Sequence, residues 1–201
     1  MRSQPQLPWQ RLTPYLFLLP ALALLGLTVF LPAVQAFSLS FTRYEYDLTQ
    51  APQWVGLANF QRLRQDAVFW QTLRNTLLYL VGVVPILASA SLGLAILVNR
   101  QLRGIHWFRM AFYTPVVISM VVAGVAWNAL YASGGIFNQL LETLGFDRIP
   151  WLTSPQLSLW SVMVVTIWKG LGYYMVIYLA GLQAIPAELY EAAAIDGSDG
   201  W

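Results

Sequence analysis

Four long stretches of this chain carry almost no charge, and polar segments of uneven length separate them. They cover residues 15–37, 76–98, 110–130 and 158–182, which is 21 to 25 residues each. At 1.5 Å per residue such runs make helices of about 31–38 Å, enough to cross a hydrocarbon core about 30 Å thick. The pattern predicts an all-α, polytopic membrane protein with four transmembrane helices in this chain. A short tail, residues 1–14, precedes the first span, and residues 183–201 follow the fourth as a polar end segment.

The polar segments differ in kind. Val34-Gln35-Ala36 loosely fits a signal-peptide cleavage site, but the first apolar run is much longer than the 7–15 residues of a signal h-region, which predicts an uncleaved span. Residues 38–74 mix charges with Trp54, Phe60, Phe69 and Trp70. The spacing of Leu57, Phe60, Leu63 and Arg64, continued by Phe69, Leu73 and Thr76, predicts short amphipathic helices near the membrane surface. Trp54 and Trp70 suit the interfacial belt. Residues 99–109 form a basic loop with Arg100, Arg103, His106 and Arg109 and no acidic residue. Ser133-Gly134-Gly135 opens a polar loop that holds Glu142, Asp147 and Arg148 and ends near Pro155.

Composition narrows the chemistry. Apolar residues are 58% of the chain and charged residues only 10%, against roughly 25% charged in a soluble domain. With no cysteine and a single histidine, His106, the chain has no disulfide, no thiolate nucleophile and no Cys-bearing metal site, and His106 cannot build a metal centre alone. No cofactor is expected. The net charge of +2 comes from scattered arginines, which excludes a nucleic-acid groove. A P-loop needs a Gly-Lys pair after a glycine-rich turn, and the one lysine, Lys169, lies inside an apolar run. ATP binding by that route is excluded. No Ser-centred nucleophile elbow and no His–carboxylate spacing marks a hydrolytic site. An integral membrane enzyme assembled from distant residues is the lesser alternative.

Orientation follows from the basic residues. With the N-terminus in the cytoplasm, Arg2, Arg11, Arg100, Arg103 and Arg109 lie inside and Arg43, Arg62, Arg64, Arg74 and Arg148 outside, an even count. Three of the inside arginines crowd one short loop, whereas Glu45, Asp47, Asp66, Glu142 and Asp147 all fall outside. The rule weights short basic loops, so the N-terminus is expected in the cytoplasm.

Within the spans, Lys169 stands out. A lysine at mid-span costs about 2.5–3.5 kcal/mol on insertion scales. It must therefore face protein, water or solute. Gly170, Gly172, Tyr173 and Tyr174 beside it thin the helix and offer hydroxyls, which makes Lys169, Gly172 and Tyr173 candidates for the lining of a polar solute's path. A lysine hydrogen-bonded to carbonyls or polar groups of a partner helix is the equal alternative. Asn128 is a weaker candidate for the same path, with an interface hydrogen bond as its other reading. Ser89 and Gly93 form a small-xxx-small pair of the kind that lets helices approach closely.

The end segment, IPAELYEAAAIDGSDG over residues 185–200, reads as a short helix. Pro186 suits its first turn, Glu188 and Glu191 favour its N-terminal end, and Gly197 supplies the left-handed residue that stops it. Ala192 and Ala193 would let a partner's backbone come close. In sequence and spacing Glu191, Ala192, Ala193, Asp196 and Gly197 resemble the EAA loop of bacterial ABC importer permeases, the cytoplasmic coupling helix that docks on an ATPase subunit. Residues 55–77, 103–127 and 159–201, including WKGLGYYMVIYLAGLQAIPAELYEAAAIDG, resemble the carbohydrate-type branch of the same family.

The resemblance implies a multi-pass permease subunit of the bacterial inner membrane. Such a subunit works with two ATPase subunits, a second permease, an extracytoplasmic solute-binding protein and the surrounding lipid, and carries a sugar or related polyol. Hydrolysis belongs to the separate ATPase, so the chain itself is no enzyme. Ser198 and Gly200 depart from the family's motif. Family members have six spans, so the resemblance further implies a fragment lacking the last two, and a truncated, transport-inactive membrane fragment is the alternative reading.

Overall fold

The computed structural model describes residues 8–43, 52–100 and 103–197, with side chains in the first segment from Leu12 onward. Arg2, Arg11's side chain, Glu45, Asp47, Ser198 and Gly200 therefore lie outside the described residues. The chain divides into two units, Met1–Gln71 and Thr72–Trp201.

In the first unit, α1 (Pro8–Leu25) passes through a π-helical turn, Gly26–Phe30, into α2 (Leu31–Leu39). Pro32 has no N–H to offer the carbonyl one turn back, and the ladder widens just ahead of it. From Leu12 to Leu39 the helical stretch is apolar and exposed along nearly its whole length. A two-residue antiparallel bridge follows, β1 (Thr42–Arg43) with β2 (Gln53–Trp54), and then α3 (Ala58–Gln65). The sequence pattern predicts α3 but not the bridge. Phe41 anchors this corner, its ring stacked on Trp54 at 5.5 Å and set against Phe60 at 5.4 Å. Asn59 Nδ2 donates to the carbonyls of Ser40 and Thr42, both at 2.9 Å, so α3 is tied to the end of α2 by one side chain.

The long helix α4 (Ala67–Asn99) starts on an Asp66 cap, whose Oδ1 accepts from the Val68 N–H at 2.8 Å. In the second unit α4 packs on α8 (Ser158–Gln183). The buried stripe of α4 is Val83, Leu87, Ser91, Ala95 and Val98, a period of nearly four residues that suits helix packing. Val83 and Leu87 meet Met163, while Ala95 and Val98 meet Met175 and Leu179. Contacts advance together along both helices, so α4 and α8 run parallel. The crossing is therefore not made by the small pair expected from the sequence. Nothing lies within 4 Å of a Cβ placed on Gly93, and Ser89 Oγ turns back to the Pro85 carbonyl at 2.7 Å. A different small pair two residues on, Ser91 and Ala95, is fully buried there instead, and Ser91 Oγ donates to the Leu171 carbonyl of α8 at 3.2 Å.

Two parallel spans require one return crossing between them. It is made by α5 (Ile105–Val117) and α6 (Met120–Tyr131), which lie antiparallel to α8: Phe112 meets Gly172, Pro115 and Ile118 meet Lys169, Trp127 meets Trp168, and Tyr131 meets Ser161. The sequence reading of 110–130 as a single helix is thereby corrected. Ile118 (ψ 134°) and Ser119 (ψ 148°) are both extended, and the helix restarts with Ser119 Oγ accepting from the Val122 N–H at 3.3 Å. A proline in the last turn of α5 and the β-branched run Val116, Val117 and Ile118 make this a weak place in a helix. By length and composition the third apolar stretch extends to Thr143. However, α7 (Ile136–Thr143) folds back on the end of α6, where Phe137 packs against Trp127 and Tyr131. The short exposed helix α9 (Ala187–Ile195) completes the described chain.

Candidate functional site

The break between α5 and α6 leaves backbone carbonyls without helical donors, and in an apolar setting each would cost several kcal/mol. Lys169, half-buried on α8, supplies the donors: its Nζ lies 3.1 Å from the Pro115 carbonyl and 2.7 Å from that of Ile118. The ammonium thus clamps the break. This is the second of the two readings open to Lys169 from sequence, with carbonyls of a neighbouring helix as the partners. Gly172, one turn on, faces the same helix. A Cβ there would sit 2.0 Å from the Phe112 carbonyl oxygen, so what Gly172 offers is a backbone crossing and not an open face. Tyr173 is exposed, its ring set edge-on against Tyr174.

Asn128 lies elsewhere. It is exposed on α6 and lines a cleft of about 290 Å³ with Trp127, Tyr131, Val162 and Thr166. Lys169 is not among the lining residues, so the four candidates do not form one cluster. Thr166 is a polar member of the cleft that sequence reasoning missed. Its Oγ1 accepts from the Tyr79 hydroxyl at 2.6 Å and donates to the Val162 carbonyl at 3.1 Å. No local pattern marks that pair, because its members are 87 residues apart.

Also missed was Asn138, fully buried in α7. Its Nδ2 donates to the carbonyls of Ala132 and Ile149, and its Oδ1 accepts from the Ile149 N–H and the Trp151 indole, at 2.9–3.2 Å. One amide so fastens the whole loop between α6 and α8, beside which the rings of Tyr131, Phe137 and Trp151 pack tilted or edge-on. The local pattern gave no signal, since Asn138 falls with Gln139 and Glu142 on the polar side of a short amphipathic helix. Outside this cluster the Glu142 carboxylate, 2.5 Å from Arg148 Nε, raises the guanidinium further above its usual range.

At the other end of α8, α9 projects with every residue exposed, including Glu191, Ala192, Ala193 and Asp196. Pro186 stands at the N-cap, one place ahead of the first turn expected for it, with an extended ψ of 139°. Gly197 has φ +82°, the left-handed residue the sequence predicts. Tyr190 reaches back with its hydroxyl 3.4 Å from the Leu182 carbonyl. A nine-residue helix is marginal alone in water, and Ile195 is 86% exposed, Leu189 61%.

The clamp gives a first test. Lys169→Met removes two charge-assisted bonds, worth about 1.5–3 kcal/mol each, and relieves a burial cost of similar size. Global stability is therefore expected to change little, whereas the break itself loses its lock. Amide exchange at residues 119–122 should rise by about tenfold or more while α4 stays protected. Unchanged exchange there would show that the break holds without Lys169.

Residues 73–201 match the family described as "Binding-protein-dependent transport system inner membrane component". A probable ABC transporter permease of Pyrococcus horikoshii is 38% identical over 204 aligned residues, covering all of this chain and 68% of the relative. The probable starch degradation products transport system permease of Thermoanaerobacterium thermosulfurigenes is 33% identical, over 93% of this chain and 63% of the relative. A bacterial alginate ABC transporter, solved with an alginate pentasaccharide-bound periplasmic protein, includes a chain that superposes with TM-score 0.75 at 26% identity, over 94% of this chain and 65% of that one. The chain thus spans about two thirds of the length of the proteins it matches. These relatives are permeases and not enzymes. A multi-pass helical fold, the likeness to known permeases along the whole chain and a family match over most of it converge: it belongs to the binding-protein-dependent transport system inner membrane components.

Proposed function

We propose that the chain is part of a permease subunit of an ATP-driven importer, that it contributes to the path of a sugar or related polyol, and that α9 couples it to a separate ATPase subunit. Exposure of the whole of α9 carries the coupling half of the reading. A short helix with alanines on its surface, exposed Leu189 and Ile195, and a left-handed glycine at its end has few internal contacts to hold it and gains them from a partner. The sugar half is supported by the names of the relatives, one serving starch degradation products and another alginate. Two ATPase subunits, a second permease and an extracytoplasmic binding protein are the partners this reading requires. It also requires α9 and the N-terminus on the cytoplasmic side. The parallel course of α4 and α8 supports the placement of α9, since it brings the basic residues after Asn99 and the start of α9 to the same end.

Gly197→Val tests the coupling. Open space surrounds the position, so the cost is the left-handed backbone itself, roughly 1–2 kcal/mol and more for a β-branched residue. That strain falls outside the membrane and displaces the docking helix. In the full-length protein, insertion is expected to stay normal while ATPase association or its stimulation by loaded binding protein falls at least several-fold. Full assembly and full stimulation in both Gly197→Val and Glu191→Ala would remove α9 from this role.

A further inference from the structure

Because α4 and α8 are parallel, Asn99 and Gln183 end at the same level, and α5 begins beside them at Ile105. Between these ends opens a cleft of about 580 Å³ lined by Asn99, Arg100, Arg103, His106, Arg109 and Gln183. Among the described residues no carboxylate lines it, and residues 67–141 contain no Asp or Glu at all. Arg109 is partly fixed: Nη2 donates to the Val98 carbonyl at 2.6 Å, and its Nε is enclosed with no hydrogen-bond partner among the described residues. Gly104, at the head of α5, provides no side-chain acceptor for the first free N–H groups of that helix. The whole opening is therefore set for an anion.

Its surroundings are apolar. Trp107 is 74% exposed, Phe108 61% and Leu97 53%, next to the cleft along α5 and α4. An indole and a phenyl ring at the level where the spans end suit the headgroup boundary of a bilayer. A soluble anion has no use for them, whereas a phospholipid would lay its acyl chains along Leu97 and the rings. A loop that served only to orient the protein would need its charge and not a cleft with aromatic flanks.

We infer that this cleft binds the phosphate headgroup of an anionic phospholipid, seated by Arg103, Arg100 and Arg109 with Trp107 and Phe108 against the chains. Basic pockets between membrane helices bind such headgroups by charge and hydrogen bonding together. The inference rests on the membrane location of the family and not on any transported solute.

The test uses the full-length protein in neutral detergent, titrated with phosphatidylglycerol, phosphatidylcholine or inorganic phosphate, with thermal unfolding as the readout. Phosphatidylglycerol should raise the unfolding midpoint, and the other two should not. Arg100→Gln with Arg103→Gln should weaken phosphatidylglycerol binding about 30-fold, at about fivefold per arginine. Both residues are exposed, and Arg103→Gln alone, expected to weaken binding about fivefold, serves if the pair affects folding. Equal shifts with phosphatidylcholine, a shift with phosphate matching that of the lipid, or unchanged lipid affinity in the variants would each overturn the inference. So would variants that keep lipid affinity and lose only capture of a purified ATPase subunit, since the cleft would then be a protein contact.

Discussion

Gly172→Ala is expected to cost the second unit about 3 kcal/mol or more, at the upper end of what overpacking does in a packed interior. The added methyl would lie 2.0 Å from the Phe112 carbonyl oxygen, 2.8 Å from its carbon and 2.9 Å from the Tyr113 Cα. All three are backbone atoms, which cannot swing aside as a side chain does. α5 and α8 must separate by more than an ångström, and Lys169 would then lose the carbonyls it holds at 2.7 and 3.1 Å. Packing and clamp therefore fail together. Gly181→Ala is the control: it lies on the same helix with nothing within 4 Å of its added Cβ, and a better helix former there should be neutral or stabilising by about 0.5–1 kcal/mol. Thermal unfolding of the full-length protein in detergent compares the two. Equal stability would mean that α5 and α8 do not cross in contact.

Asn138→Ala is expected to unfasten the loop between α6 and α8. Four hydrogen bonds end on one fully buried amide. Removing it strands the Ile149 N–H and the Trp151 indole, at about 1–3 kcal/mol for each group that water cannot reach, whereas the Ala132 and Ile149 carbonyls still accept from the Gly135 and Trp151 N–H groups. Because water can enter part of this loop, the net loss should be about 3 kcal/mol and local to the loop. Asn138→Asp keeps the acceptor and loses the donors, so it should fall between alanine and wild type. Limited proteolysis within residues 144–157 and Trp151 emission measure the loosening. If the alanine variant resists protease like wild type, the packed rings of Tyr131, Phe137 and Trp151 hold the loop without the amide.

The candidate site was only partly legible in the sequence, and the reason differs from residue to residue. The stop of α9 at Gly197 could be read directly, since a left-handed residue after a run of helix formers has one cheap solution. That Lys169 must have partners could also be read, because a charge at mid-span has to be compensated. Which partners it has could not. The carbonyls it takes lie 51 and 54 residues away, and they need a donor only because the helix breaks at Ile118–Ser119. Gly172 looked like thinning beside a path, yet its meaning depends on a backbone that passes 2.0 Å from where its Cβ would be. Asn138 could not be picked out because three of its four bonds depend on how the chain returns at Ile149 and Trp151.

The number of apolar runs, the helical class and a short helix stopped by a glycine after the last run were determined by sequence alone. Each depends on sums over neighbouring residues: transfer energies along a span, propensities and caps along a helix. The break in the return crossing, the clamp on it, the parallel packing of α4 on α8 and the basic cleft at their ends were decided by tertiary structure. Those features depend on which distant backbone groups come within hydrogen-bonding or van der Waals reach, and in an apolar solvent every such group has to find its partner inside the protein.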